Sequence, residues 1–454
     1  MDLQQQAAEY LAQDKYSEAI AIYEHCIEAD PTVMSSYWQL GLALFLEAKE
    51  SEAQSIWLSI IAEGTPEEID IWTEEFIKTL EAEALCRLQL CNFSQAEMIF
   101  WQILELKPDH TSTLLNLGFI FEEQGKVEEA ISFYQQAIKF KSDYVLANWS
   151  LSLAMLRSGN LKLGFAEFEW RWWVVGSVRP FFSQCLWDGS SLDGKTILIH
   201  AEGGFGDAIQ FARYIPLVAQ QHECHIIFEC REPLKHLLKS VAGIDQLIVE
   251  GEELPRFHVH APLMSLPRIL KTTLETIPGE VPYVSSTESP IKLEAPIGKP
   301  MKVGIAWAGE AANPQNHKRS CSLNHFLDLL NLPGITFYSL QKGPRARDLD
   351  QLPCKGLLHD LSNQLGDFAD TAAVVSQLDL IITVDTAVAH LAGALGQPVW
   401  VLLSFVPDWG WMMDREDSPW YPTMHLFRQK QLGDWVGVFG QVAEALKDLV
   451  SHFK

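Results

Sequence analysis

The chain has 454 residues, 48% of them apolar, enough for roughly two to four packed domains. Its net charge is −25, and residues 1–150 hold 26 acidic against 8 basic side chains, which argues against a nucleic-acid or anionic-membrane partner. The cysteines at 26, 86, 91, 185, 224, 230, 321 and 354 form no Cys-x-x-Cys pair, so neither zinc nor a disulfide framework is expected.

The N-terminal stretch MDLQQQAAEYLAQDKY is polar and acidic, unlike a secretory signal. No apolar run approaches the ~18 residues of a membrane span. The expectation is a cytoplasmic chain with no membrane span. The first third is internally repetitive. YSEAIAIYEHCIEADP, ESEAQSIWLSIIAEG, FSQAEMIFWQILELKPD and VEEAISFYQQAIKFKSD align at Ala19, Ala53, Ala96 and Ala130, in steps of 34, 43 and 34. LKLGFAEFEWRW places Gly164 another 34 residues on. Leu40-Gly41 and Leu117-Gly118 are 77 apart, and so are Pro31 and Pro108. Thirty-four residues is the period of the tetratricopeptide repeat, in which small residues let paired helices approach and proline ends the second helix. The nine extra residues near GTPEEIDIWTEE imply a longer helix or loop. Stacked repeats form a solenoid whose concave face takes peptides. Scaffolding or dimerisation is the alternative use.

After EWRWW and a polar linker the pattern alternates. TILIH, HIIFE, QLIVE and FHVHAPL read as strands, with helices beginning near Asp207 and at EPLKHLLKSV. A proline-rich break spans 278–300. A second series follows: KVGIAWAG, ITFYSLQ, LDLIITVD and PVWVLLSF, with helices over 323–331, 366–377 and 386–395. Such alternation predicts parallel sheets covered on both faces. The expected architecture is multidomain: an all-α repeat solenoid over 1–175, then α/β in two Rossmann-like domains over 190–290 and 300–454. Ligands sit at the carboxyl ends of such strands, so the cleft between the α/β domains is the expected site.

Three stretches there carry chemistry. HAEGGFGDAIQFARY puts Gly203, Gly204 and Gly206 at a strand end and Asp207 at a helix start. It matches neither a dinucleotide fingerprint nor a Walker loop. Asp207 is a helix-capping carboxylate, a ligand-facing group, or both. In ITVDTAVAHLAGALGQPVWVLL, Asp385 ends a strand and Thr386 opens a small-residue helix. The N–H groups there, Ala387 included, suit a diphosphate. His390 reads equally as a packed histidine or a ligand contact. WAGEAANPQNHKRSCSL follows another strand and holds Asn313, Asn316, His317, Lys318 and Arg319. Lys318 or Arg319 can neutralise a leaving diphosphate, or the loop is merely solvated. Gln341 and Lys342 end a further strand. Trp409, Trp411, Trp420, Tyr421 and Arg415 line the cleft or pack between domains.

Together these stretches resemble the heptosyltransferase-like glycosyltransferases, glycosyltransferase family nine, of the GT-B fold. The whole chain resembles bacterial tetratricopeptide proteins fused to that module. The likeness covers residues 185–430 and is carried by the glycine turn with Asp207, by HKRSCSL, SLQKG, and DTAVAHLAGALG. It implies that Asp207 is the general base and that Lys318 faces the donor's phosphates. It implies that Asp385, Thr386 and His390 form the donor site, with Gln341 and Lys342 toward the ribose. Where the fused family carries Trp-Arg-Trp, this chain has Trp409-Gly410-Trp411. The resemblance implies inverting transfer of a hexosyl- or heptosyl-type sugar from a nucleotide-diphosphate donor to an acceptor hydroxyl, with no metal or other cofactor and with a protein or peptide acceptor recruited by the repeats. The competing readings are a scaffold whose transferase-like domain is silent, and nucleotide-sugar epimerisation.

Overall fold

The computed structural model describes residues 3–61, 64–176, 180–286, 291–294, 296–298, 300–310, 316–352 and 355–453. Contacts divide the chain into Met1–Ser150 and Leu151–Lys454. In the first unit, helices Leu3–Ala12 and Tyr16–Ala29, Met34–Leu46 and Glu50–Ile61, Pro66–Gln89 and Phe93–Leu106, and Thr111–Glu123 and Val127–Phe140 pack as successive pairs. The periodic alanines Ala19, Ala53, Ala96 and Ala130 are completely buried. A Cβ on Gly41 would meet the Trp57 ring at 2.0 Å, and one on Gly118 the Tyr134 ring at 2.4 Å, so only glycine lets those helix pairs close. The turn within each pair has one left-handed residue, at Asp14, Ala48, Cys91 and Gly125, and the same spacing continues to Gly159.

The nine extra residues go into Pro66–Gln89, which has 24 residues where Met34–Leu46 and Thr111–Glu123 have 13. Its start is fixed by proline in the first turn and by a capping box between Thr65 and Glu68. Helix Leu161–Glu167 and the 3-10 turn Phe168–Trp173 continue the repeat period in sequence, yet they belong to the second unit. The reason lies in their side chains, which pack on the α/β domains as described below.

The second unit holds two all-parallel sheets. In the first, β1 (Cys185–Leu186), β2 (Thr196–His200), β3 (His225–Cys230), β4 (Gln246–Val249) and β5 (Val259–Pro262) are ordered β1-β5-β2-β3-β4. In the second, β6 (Met301–Ala306), β7 (Ile335–Ser339), β8 (Leu358–Asp360), β9 (Leu380–Val384), β10 (Val399–Leu403) and β11 (Met424–Arg428) are ordered β11-β10-β9-β6-β7-β8. Ile197 pairs with Ile226 and Val259, and Val303 pairs with Phe337 and Leu380, so the central strands are flanked on both edges. All five residues of β9 are buried, which is why it reads as a nearly continuous apolar run broken by Thr383. The architecture is therefore a region of paired helices followed by α/β with two Rossmann-like parallel sheets. β1 and β8 are two and three residues long, too short to carry a periodic signal in the sequence.

Candidate active site

Strand order places the crevices. From β2 the chain steps outward to β3 and β4, then returns to the other side of β2 as β5. From β6 it steps to β7 and β8, then returns beside β6 as β9. At each reversal the loops leaving neighbouring strands diverge and open a crevice at the carboxyl ends. Residues 201–204 and 263–265 bound the first crevice, and 307–309 and 385–387 the second. The two meet. Helix Phe205–Phe211 packs on helix Ala387–Ala394, and a Cβ on Gly206 would lie 2.7 Å from Cδ2 of His390 and 3.5 Å from Cα of Ala387. Gly206 brings two backbones together.

On the first wall, Gly203 has φ +71°, and a Cβ there would press on the Asp207 carboxylate at 2.7 Å. The Gly204 N–H donates to Oδ2 of Asp207 at 2.6 Å, so Asp207 does cap its own helix. Withdrawal from water pushes the Asp207 carboxyl up to about 7. The Gly204 hydrogen bond opposes that shift, while the charges of Asp408, Asp385 and Glu202 add to it. A carboxyl of this kind exchanges its proton near neutrality.

On the second wall, Thr386 caps helix Ala387–Ala394. Its Oγ1 accepts from the Val388 N–H at 3.3 Å and lies 3.1 Å from Oγ1 of Thr383. Val388 is thereby satisfied, which leaves Ala387 as a first-turn donor without an intrahelical acceptor. Asp385 is buried. Desolvation and the Asp408 charge raise its proton affinity, against Arg319 and a hydrogen bond from Trp411. Arg319 NH1 lies 3.7 Å from Oδ2 of Asp385. Its Nε is buried without a hydrogen-bond partner, and Gly309 makes room for it. Lys318, beside it on the short helix Asn316–Arg319, is partly exposed. His390 stacks on Trp411 with centroids 5.0 Å apart, and its Nδ1 is 3.1 Å from the Tyr421 hydroxyl. Burial, then the charges of Arg213 and Arg319, push His390 down to about 3, so it is neutral at pH 7.

Gln341 and Lys342 differ from the expected ribose contacts. The Gln341 amide oxygen accepts from the N–H groups of Trp307 and Ala308 at 3.0 and 2.9 Å, and its nitrogen donates to Ala308 O and Lys342 O. Buried and fully engaged, it braces the loop after β6 instead of facing a ligand. Lys342 Nζ donates to the Leu365 and Gly366 carbonyls. The aromatic run is mostly packing: Trp409, Trp411, Trp420 and Tyr421 are buried, and Trp409 and Trp420 close on Phe211. Arg415 pairs with Asp417. Asn313 lies outside the described residues.

Sequence reading missed Asp408, whose Oδ1 accepts from the Gly410 N–H at 3.1 Å and whose charge acts on both aspartates. It missed Arg213, buried over the Tyr283 and Tyr421 rings with Nε donating to Gln210 O at 2.8 Å. Arg213 stands six residues past Asp207 in the same quoted stretch. A single cation within the apolar run from Phe211 to Val218 was its signal. Among the described residues no His, Cys, Asp and Glu group has the geometry to hold a metal, and no helix is long and apolar enough to cross a membrane.

Residues 3–33 match the tetratricopeptide repeat and residues 118–159 the TPR repeat. The chain therefore contains tetratricopeptide repeats. Protein FlbA of Caulobacter vibrioides is 24% identical over 95% of this chain and 76% of its own length. E. coli ADP-heptose lps heptosyltransferase II overlays 56% of this chain and 98% of its own at 12% identity, with a TM-score of 0.41. A family 9 glycosyl transferase from Veillonella parvula overlays 58% of this chain and 99% of its own at 13% identity, with a TM-score of 0.38.

Proposed function

We propose that this protein is an inverting glycosyltransferase that moves a sugar from a nucleotide-diphosphate donor to an acceptor hydroxyl. The observation that carries the reading is the meeting of two unlike strand ends in one crevice. One offers a carboxyl that titrates near neutrality, and the other offers a cation and a helix start. In the reaction, the acceptor oxygen attacks the anomeric carbon while Asp207 takes its proton. The bond from that carbon to the diphosphate oxygen breaks, and its electron pair leaves with the diphosphate. Arg319, Lys318 and the Ala387 N–H meet the charge that develops there. Asp385 faces the sugar, and neutral His390 holds the shape of the pocket against Trp411. This scheme needs no metal or cofactor from the protein. The repeats recruit a polypeptide acceptor, and the chain works in the cytoplasm.

The test is binding and turnover with a panel of nucleotide sugars, measured by calorimetry and by release of the nucleotide diphosphate. The expected result is saturable binding of at least one donor and release that depends on Asp207. Absence of binding across the panel sinks the proposal and leaves the silent scaffold. Release that persists undiminished in Asp207→Asn removes Asp207 from the role of base.

A further inference from the structure

The glycine turn over 203–206 has almost no side chains with which to hold itself in place. Gly203 and Gly204 are exposed, and Gly203 occupies the left-handed region. Such a backbone is soft unless it is tethered from outside. Two tethers reach it. Arg231 NH2 donates to the Gly203 carbonyl at 2.6 Å while its guanidinium lies over the Phe205 ring.

The other comes from Phe168–Trp173. The Arg171 guanidinium is buried, and it grips Glu202 with two parallel bonds, Nε to Oε2 at 3.1 Å and NH2 to Oε1 at 2.7 Å. The same NH2 donates to Ser265 Oγ at 2.8 Å, in the loop after β5. NH1 donates to Phe168 O at 3.2 Å and Glu169 at 3.0 Å. Oε1 of Glu202 also accepts from the Met264 N–H at 3.2 Å. One guanidinium thus ties together both loops that bound the first crevice. The same stretch reaches the other wall, since Phe165 and Phe168 pack edge-on to Trp409, and Arg157 Nε donates to Pro407 O at 3.0 Å.

We infer that Arg171 is a positioning residue for Asp207: through its bidentate grip on Glu202 it sets the glycine turn and shields Asp207 from the Glu202 charge. The inference rests on the reading of Asp207 as the base. A bidentate pair of this kind fixes orientation as well as distance, which a lysine cannot reproduce. The electrostatic part has a definite sign. Glu202 is among the carboxylates that raise the proton affinity of Asp207. Burial raises the proton affinity of Glu202 itself and Arg171 holds it down, so at pH values where Glu202 stays ionised, loss of Arg171 leaves its charge unopposed and Asp207 holds its proton to higher pH. Glu169, Arg268 and His200 also face this network, with Arg268 Nε 3.5 Å from Glu169.

The test uses the full chain carrying Arg171→Ala, Arg171→Lys, Glu202→Gln or Arg268→Ala. Amide hydrogen exchange over 201–208 is read against 384–394, with ADP and UDP binding by calorimetry and, with the donor the panel selects, the pH dependence of kcat. Arg171→Ala is expected to speed exchange over 201–208 and leave 384–394 unchanged. It should lower kcat on the order of 10²-fold, move the acid limb to higher pH, and keep nucleotide affinity within about twofold. Glu202→Gln should move the acid limb the opposite way, Arg171→Lys should recover part of kcat, and Arg268→Ala should leave the limb in place. Unchanged exchange over 201–208 and an unmoved limb in both Arg171→Ala and Glu202→Gln overturn the inference. So does exchange that rises equally in both regions. A wild-type chain that transfers no sugar defeats the transferase reading, while the exchange arm still decides whether Arg171 holds the turn.

Discussion

The two strand-to-helix junctions at the crevice are built from the same parts in opposite order. After β2 the helix starts first, and Asp207 is its third residue, with its carboxylate on the Gly204 N–H. After β9 the aspartate comes first, and Thr386 caps the helix with a neutral hydroxyl. A carboxylate in the first turn opposes the positive end of its own helix where it is ionised, so the glycine turn suits an anion less than its composition suggests. A hydroxyl leaves that end positive, and Arg319 beside Asp385 adds to it. The difference teaches that glycine content does not identify a phosphate loop. What sits on the first free N–H groups does.

The sharpest way to break the comparison is Asp207→Asn. If the first junction supplies the base, kcat falls by about 10²- to 10⁴-fold while nucleotide affinity holds, as read by turnover and calorimetry. Arg319→Ala attacks the other junction. It should weaken nucleotide-diphosphate binding roughly tenfold to a hundredfold, with a smaller loss for Lys318→Ala, because Arg319 is the one within reach of Asp385. Equal losses for the two would place both cations on the phosphates. Gly206→Ala drives a methyl into His390 and should separate the walls, costing about tenfold in kcat with nucleotide affinity nearly intact.

The smallest expected effect is thermodynamic. Asp207 binds its proton more tightly folded than unfolded, so the folded state loses stability as pH rises from the ordinary carboxyl range toward about 7. Asp207→Asn removes that loss. Its melting temperature should exceed the wild type's at pH 8 by a few degrees, with the gain shrinking toward pH 4. A gain independent of pH would show that the buried carboxylate charge is not its source.

Much of this was legible in the chain itself. The alanines at 19, 53, 96 and 130 and the glycines at 41 and 118 announce helix pairs because close approach tolerates only small residues. TILIH and LIITV announce central strands because both faces of a parallel sheet are buried. Helices over 366–377 and 386–395 were legible to within two residues, at Phe368–Val375 and Ala387–Ala394. β11 and the terminal helix Trp435–His452 went unread. Within the site, Asp207, Arg319, Asp385, Thr386, Ala387 and His390 stand on strand ends and helix starts that the fold brings near one another. Gln341 and Lys342 also end at a strand's carboxyl terminus, but their polar atoms go to backbone groups of the protein.

The sequence by itself determined the period of the repeats, the alternation of strands and helices, and the strand-end positions where polar groups collect. These follow from local spacing, since a helix pair or a buried strand prints its own pattern on consecutive residues. Tertiary structure alone decided which of those groups gather where the two strand ends meet and which brace the fold. It alone gathered Asp408, Arg171 and Glu202 around Asp207, and pushed that carboxyl toward neutrality. Such effects depend on burial and on charges brought near by folding, Asp408 among them, and no local pattern records them.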